Sequence, residues 1–421
     1  MPLVSSRGPG LPLVEVSAKH LDDYRSIVGE EKIEEILDLA AKLKGARVLH
    51  LSATAFGGGV AELLGTLVPL LNDAGLQAEW RVIEGSEEFL QVTRCLHQGL
   101  QGVEGKLDES MKEVFLRYNK ANASRWVGMY DFVVVHDPQP VAIKTLLQRP
   151  QGKWIWRCHI DLTKANPETW AFLKPFVEEY DGAIFTMPQN VPQDLMIQEP
   201  AIIPPSIDPL SQKNVPLAKE ESARIVRRFG VDPEKPIVLQ VSRFDPWKDP
   251  LGVIDAYRLV KKEYPEAQLV LISSMNPDDA EGLQWYEKLA RHAGEDEKIF
   301  LLSNLKGVEN LEVNAFQREA DAVVQKSLRE GFGLVVSEAL WKEKPVVGAR
   351  TGGIPLQVID EVDGFLVDSV EECADKISRL LGNPGEAARM GARGKEIVRE
   401  NFLSTRNLRD YLRLFLRLSR E

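Results

Sequence analysis

The chain has 421 residues, a net charge of −11 and an ordinary share of apolar and charged side chains. That length and composition allow two or three domains with full cores. The acidic balance excludes nucleic acid as the main partner and a bulk electrostatic anchor to membranes.

The three cysteines, Cys95, Cys158 and Cys373, lie far apart with no CxxC spacing. They read as buried small hydrophobes in a reducing compartment, not as a disulfide framework or a thiolate zinc site. Pro2, Pro9 and Pro12 interrupt an N-terminus without a long apolar run, so no signal peptide is expected. No apolar stretch reaches the roughly 18 residues of a membrane span. The expected location is cytoplasmic.

Residues 1–14 are rich in Pro, Gly and Ser and read as loose, with a short strand over 11–16. A helix is expected over 30–43. Strand and helix then alternate. Strands are predicted at 47–52, 79–83, 131–135, 153–158, 182–185 and 201–203. A helix over 60–72 closes at Gly75, and 86–126 is mostly helical. The Pro-, Ser- and Asn-rich stretch 204–216 reads as a linker. A second alternating series follows, with strands at 237–241, 268–273, 298–302, 322–325, 345–347 and 364–367. The end of the chain is helical from about 385, broken near 401–404. Such alternation predicts an α/β fold of two doubly wound, Rossmann-like domains. The expected division is 1–205, joined by a crossing helix over 402–421, and 206–401.

Polar groups gather at the predicted strand ends. After the strand at 322–325 comes a loop with Glu330, Gly331, Phe332 and Gly333, then a helix beginning near Leu334 and carrying Glu338. Two glycines let a ligand approach the backbone, and the free N–H groups of a helix start suit an oxygen-rich ligand. Lys326 has no assigned place, near phosphates or as a solvated loop charge. Gly57-Gly58-Gly59 forms a second strand-to-helix loop. It is not GxGxxG and no acidic residue ends the next strand, so a dinucleotide site is rejected. A phosphate or sugar facing its N–H groups competes with a plain tight turn. Arg243 and Lys248 share the loop after 237–241, able to neutralise a diphosphate or to form a salt-bridged turn with Asp245 and Asp249. Thr351-Gly352-Gly353-Ile354-Pro355 is a third glycine loop.

His136, Asp137, His159 and Asp161 end two strands of the first half. With no third histidine or clustered glutamate evident, a metal site is set behind a sugar site, which Gln139 would also suit. Arg406, Arg409, Arg413, Arg417 and Arg420 fall largely on one face of the last helix. That helix either lies on a membrane or docks its apolar face on the protein body.

Taken together these residues resemble a known family. Glu330-Gly331-Phe332-Gly333-Leu334 followed by Glu338 is similar to the E-G-F-G-L-x-x-x-E pattern of retaining family 4 glycosyltransferases of the GT-B fold, two domains facing across a cleft. The Arg243 and Lys248 pair, the Thr-Gly-Gly-Ile-Pro loop and the loop at 57–59 also match, over nearly the full length. Val-Val-His-Asp-Pro-Gln-Pro, Trp-Arg-Cys-His-Ile-Asp and Gly-Gly-Ile-Pro-Leu-Gln most resemble the trehalose glycosyltransferring synthases and trehalose phosphorylases. One departure is Leu356 after Pro355, where the wider family commonly has an acid.

The resemblance implies a role for each matched residue. Gly58, Gly59, Arg243, Lys248, Glu330, Gly331, Phe332, Gly333, Leu334 and Glu338 would bind the donor. Within that set Arg243 and Lys248 hold the diphosphate, Glu330 the sugar hydroxyls and Glu338 the ribose. His159 would approach the reacting sugar from the other domain, and Asp137, Gln139, His159 and Asp161 would bind the acceptor. Arg243, Lys248, Glu330 and His159 are the expected catalytic set. The implied reaction makes α,α-trehalose from ADP-glucose or UDP-glucose and free glucose, reversibly. A front-face mechanism is implied, in which the leaving phosphate takes the acceptor's proton. Domain closure about 204–216 and the crossing near 400 would accompany it. A phosphorylase using glucose 1-phosphate and inorganic phosphate, and a transferase with another sugar acceptor, are the near alternatives. A nucleotide-sugar epimerase or a non-enzymatic sugar-binding module are the distant ones. No tightly bound cofactor and no metal are expected; Mg2+ is compatible with a diphosphate but not indicated. A homodimer is expected, through the loose N-terminal segment and an exposed helix.

Overall fold

The computed structural model describes residues 3–5, 10–56, 58–275 and 280–420. It divides into two compact units, one of residues 1–206 with 404–421 and one of residues 207–403.

The first unit is built on an eight-stranded sheet. Its strands are β1 (Leu3–Ser5), β2 (Leu13–Glu15), β3 (Arg47–Ser52), β4 (Gln77–Val82), β5 (Phe132–His136), β6 (Lys153–Arg157), β7 (Gly182–Phe185) and β8 (Glu199–Ile202), in the order β1-β2-β4-β3-β5-β6-β7-β8. From β4 to β8 the pairing is parallel. Runs such as Val133-Val134-Val135 suit strands covered on both faces. The chain steps from β3 out to β4, then returns to lay β5 on the other side of β3. β1 was not expected. It pairs antiparallel with β2, which pairs antiparallel with β4, so the amino-terminal stretch extends the sheet edge.

Side chains alternate across a strand, so the two faces differ. One carries Leu49, Leu51, Val133, Val135, Trp154 and Trp156 into an apolar core. The other carries His50, Phe132, Val134, His136 and Arg157, set in register by the pairs His50↔Val134 and His136↔Arg157. The last helix, Ser404–Leu418, belongs to this unit and buries Leu408, Tyr411, Leu412, Leu414, Phe415 and Leu418. Phe415 stacks on Phe132 at 4.4 Å. The helix therefore docks, and its apolar face is not left for a membrane. Arg413 pairs with Glu35, and Arg417 with Glu199 at 2.7 Å. Arg406 leaves the expected arginine face: it is buried and donates to the carbonyls of Pro204 and Pro205. No helix among the described residues is long and apolar enough to cross a membrane.

The second unit has an all-parallel six-stranded sheet. Its strands are β9 (Ile237–Val241), β10 (Gln268–Ser273), β11 (Ile299–Ser303), β12 (Ala322–Gln325), β13 (Val346–Ala349) and β14 (Gly364–Val367), in the order β11-β10-β9-β12-β13-β14. Again the order reverses once, between β9 and β12. The expected linker at 204–216 is not a loose tether. Ile207 bridges Leu403, and its N–H donates to the carbonyl of Phe402 at 2.8 Å. Asn214 is buried and donates to the Asp208 carbonyl at 2.9 Å. Polar residues that looked like linker composition are turn and bracing groups within the second unit.

Candidate active site

In an open parallel sheet, ligands bind beyond the carboxyl ends of the strands where the order reverses. In the second unit those ends launch residues 242–249, after β9, and 326–333, after β12. Pro246–Lys248 forms a short 3-10 turn, capped by Asp245, whose Oδ1 accepts the N–H of Trp247 at 2.9 Å. The Trp247 carbonyl accepts the N–H of Leu328 at 2.7 Å, and Arg329 stacks over the Trp247 ring at 4.5 Å. The two loops are zipped together, and that aligns Lys248 with Glu330. The Lys248 Nζ lies 2.7 Å from Glu330 Oε2. The same oxygen accepts from Gln325 Nε2 at 3.1 Å and Ser327 Oγ at 3.2 Å. A carboxylate held by three donors is fixed in position before any ligand arrives.

Lys326 is not a solvated loop charge. It is buried, and its ammonium pairs with Asp249. Asp249 has φ 46° and its Oδ1 caps the helix Pro250–Glu263 through the N–H of Gly252, at 3.1 Å. Arg243 stands apart from this cluster. Its side chain is 75% exposed and pairs with Asp245 at 3.1 Å. The structure thus brings Lys248 to Glu330 and leaves Arg243 turned to solvent on the same loop.

The glycines explain themselves by contact. Gly333 has φ 81° and precedes the first turn of the helix Leu334–Trp341. Gly352 has φ 53°, and a Cβ there would lie 1.6 Å from the Glu330 carbonyl oxygen. A Cβ on Gly353 would lie 2.7 Å from the Phe332 Cα. The Gly353 N–H donates to the Gly331 carbonyl at 3.1 Å. Buried Gln357 donates to the Phe332 carbonyl at 2.6 Å and accepts from Ser337 Oγ. The Thr-Gly-Gly-Ile-Pro loop is therefore the backing plate of the Glu330 loop. Glu338 is buried inside the same unit. Its Oε1 lies 3.7 Å from Lys213 Nζ and its Oε2 accepts from Gln317 at 3.4 Å. Lys342, one turn on, donates to the Glu338 carbonyl at 3.0 Å, and burial lowers its pKa to about 7.

In the first unit the order reverses between β3 and β5. Gly58 (φ 74°) and Gly59 open the helix Gly58–Asp73 with exposed backbone. Gly57, the first glycine of that loop, lies outside the described residues. Asp137 follows β5 at φ 62°, and its Oδ1 accepts the His159 N–H at 2.9 Å. Burial pushes its carboxyl up to about 6, against the opposing pull of that N–H and of Arg157. Asp161 Oδ1 accepts from Thr163 at 3.0 Å and Asn190 at 2.8 Å. Gln139 gives its backbone carbonyl to Asn119 at 3.0 Å, and its side-chain Oε1 is buried without a partner. His136 Nδ1 meets His159 Nε2 at 3.0 Å, and His136 Nε2 meets His50 Nδ1 at 3.0 Å. So Asp137 and His159 are brought together, while Gln139 and Asp161 are tied to separate neighbours. Among the described residues no group of three or more histidine, cysteine or acidic side chains is placed to hold a metal.

Residues 50–192 match the family described as trehalose synthase, N-terminal domain, and residues 221–397 match the glycosyl transferases group 1. A trehalose synthase of Rubrobacter xylanophilus is 50% identical over 97% of this chain and 99% of its own. One from Pyrococcus horikoshii is 50% identical over 94% of this chain and 95% of its own. The chain belongs to the trehalose synthase family of group 1 glycosyl transferases. Among solved structures, a trehalose-6-phosphate synthase superposes with a TM-score of 0.70 at 14% identity, covering 89% of this chain and 99% of that one. The fold is accordingly GT-B and the protein is a glycosyltransferase.

Within this glycosyltransferase, sequence reasoning passed over Gln325 and Ser327 and gave Asp249 and Gln357 no part in the Glu330 loop, which all four hold in place. It also passed over His50. A signal existed for the last: a histidine in an otherwise apolar strand needs a polar partner when buried.

Proposed function

We propose that the enzyme transfers glucose from a nucleoside-diphosphate glucose, ADP-glucose or UDP-glucose, to free glucose, giving α,α-trehalose, and that it also runs in reverse. The observation that carries this reading is the Lys248–Glu330 pair at the strand-order reversal of the second unit, 2.7 Å apart and backed by the glycine loops. In the proposal Glu330 accepts hydrogen bonds from donor-sugar hydroxyls, and the backbone of Gly331, Phe332, Gly333 and Leu334 adds N–H groups. Lys248 meets the negative charge that grows on the leaving diphosphate, and Arg243 swings in to share it. Glu338 takes the ribose once Lys213 moves aside. Gly58 and Gly59 offer N–H groups to donor oxygens. Asp137, Gln139, His159 and Asp161 serve the acceptor. The leaving phosphate takes the acceptor's proton, a front-face course that needs no second carboxylate across the bond.

The 50% identity to trehalose synthases over nearly the whole chain supports the sugar assignment. One observation favours a second reading. Glu338 is enclosed by Lys213 and Gln317, and a donor without ribose needs no open carboxylate there. That donor is glucose 1-phosphate, and the enzyme would be a trehalose phosphorylase. Incubation with glucose and each of ADP-glucose, UDP-glucose and glucose 1-phosphate separates the two. A non-reducing disaccharide from a nucleotide donor is expected. Product from glucose 1-phosphate alone overturns the synthase reading, and no disaccharide from any donor overturns both.

A further inference from the structure

Three histidines from adjacent strands form one hydrogen-bonded chain running from the interior to the strand-end surface. His50 is in β3, His136 ends β5, and His159 follows β6. The contacts are His50 Nδ1 to His136 Nε2 and His136 Nδ1 to His159 Nε2, each 3.0 Å. Each such contact requires one N–H and one bare nitrogen. Burial holds all three imidazoles far down, His50 at about 3, and Arg157 beside His136 and His159 lowers those two further. All three are therefore neutral, with one ring N–H each.

Only two proton patterns then satisfy both contacts. In one, His159 Nε2–H donates to His136 and His136 Nε2–H donates to His50. The spare N–H then sits on His50 Nε2, which is buried and has no partner. Beside His50 lies Tyr411, ring to ring at 5.9 Å, with its hydroxyl unpaired, and the cationic Arg157, which acts on both Tyr411 and His136, has Nε and Nη2 unpaired. Another orphaned donor costs its full desolvation. In the second pattern every transfer is reversed. His50 Nδ1–H donates to His136, His136 Nδ1–H donates to His159, and the spare N–H is His159 Nδ1–H at the outer end. The bare nitrogen of His50 is then the unpaired group, and near a cationic guanidinium that acts on its neighbours His136 and Tyr411 a lone pair is favoured over an N–H.

We propose that His50 and His136 are positioning residues that fix His159 in the second pattern, as a neutral imidazole presenting Nδ1–H to a sugar oxygen. His159 then donates a hydrogen bond and is not the base for the acceptor hydroxyl. The catalytic consequence rests on the glucosyl-transfer reading above; the proton pattern itself does not. The charged and titratable groups facing the chain are Arg157, Asp137 through its bond to the His159 N–H, and Tyr411.

The test uses the full chain with its six histidines labelled with nitrogen-15, the His159 signals being assigned by their loss in His159→Asn. The expected wild-type spectrum has His159 protonated at Nδ1 and bare at Nε2 from about pH 6 to about pH 8, across the range where a free imidazole titrates. A bare Nδ1 overturns the proposal without any variant. His50→Leu should mix the two tautomers and lower kcat about tenfold, the worth of one buried hydrogen bond, with KM for the donor little changed. In His50→Asn the amide N–H replaces Nδ1–H, so tautomer and kcat should be restored. Equal losses in both variants indicate packing alone and overturn the proposal. If the wild type makes no disaccharide, the functional reading fails while the nitrogen spectra still decide the proton pattern.

Discussion

The Lys248 ammonium lies 2.7 Å from the Glu330 carboxylate, with the two side chains 15% and 9% exposed. An ion pair so enclosed gives little net stability, because desolvation offsets most of the attraction. Its value is geometric, since each charge holds the other in place until a ligand intervenes. Lys248→Ala and Glu330→Ala should each lower kcat/KM about 10²- to 10³-fold, the usual loss when a preorganised charge is removed from a transfer site. Circular dichroism should be unchanged. Wild-type rates in either variant would remove the pair from the chemistry. Each single change also strands a partly buried charge. The double variant Lys248→Met with Glu330→Leu should therefore melt higher than either single one while staying inactive.

The Gly352 backbone is the second place where one atom decides. Its φ of 53° already disfavours a side chain, and a Cβ would fall 1.6 Å from the Glu330 carbonyl oxygen. Neither group is a flexible side-chain end, so the Glu330 loop must move. Gly352→Ala should raise KM for the sugar donor by at least about tenfold, a 1.4 kcal/mol loss of binding, and make the loop 328–333 more sensitive to proteolysis. Gly294→Ala serves as the control, because Gly294 also has positive φ (67°) but nothing lies within 4 Å of its Cβ. If the two variants behave alike, φ strain and not the Glu330 contact is the cause.

These loops also show what the sequence made legible. Strand and helix alternation placed Ala322–Gln325, Ile237–Val241 and Gln268–Ser273 to the residue, because buried parallel strands are short apolar runs with sharp polar ends. Glu330 and the glycines were legible for the same reason: they stand where such a run stops. Arg243 and Lys248 were equivalent in sequence, and only the fold separates them. The Trp247 carbonyl is pinned by the N–H of Leu328, so Lys248 turns inward while Arg243 pairs with Asp245 outside. Composition at 204–216 marked the passage between the units, which falls at 206–207, but not its order: Asn214 and Ser211 are hydrogen-bonded turn residues. The His50–His136–His159 chain depends on strand order β3-β5-β6, which no local pattern encodes.

That chain dictates how the protein responds to acid. His50, His136 and His159 are held neutral by burial, so below about pH 6.5 the unfolded chain binds protons there that the folded one does not. Stability then falls as pH falls. Asp137 and Asp363 act the other way. Burial raises each to about 6, so the folded state binds their protons first, and the ionisation penalty they carry above that pH fades on acidification. Three imidazoles held neutral outweigh the two carboxyls raised to about 6 and the smaller rise that burial gives Asp321, so near pH 5 the net dependence is a loss of stability on acidification. Urea unfolding at pH 7.5 and pH 5 should show the lower midpoint at pH 5. Asp137→Asn removes one opposing group, keeps an acceptor for the His159 N–H and tolerates φ 62°. It should steepen the acid loss. A midpoint that rises on acidification would mean that the histidines are already charged in the folded state.

The final helix tests the choice between docking and membrane binding. Its apolar residues Leu408, Tyr411, Leu412, Leu414, Phe415 and Leu418 are all buried in the first unit, and Phe415 stacks on Phe132 at 4.4 Å. Interfacial binding requires a free apolar face, and here that face is already spent in the core. Phe415→Ala should cost about 3–5 kcal/mol, as for other large buried aromatics, read as a lower urea midpoint. The wild type should not co-sediment with anionic phospholipid vesicles. The arginines do not reverse this, because Arg406, Arg413 and Arg417 are engaged with Pro204, Glu35 and Glu199. A small stability loss in Phe415→Ala together with vesicle binding by the wild type would show that the helix leaves the sheet in solution. In that case the polar face that carries His50 and Arg157 would also open to water, and the acid sensitivity derived from their burial would disappear with it.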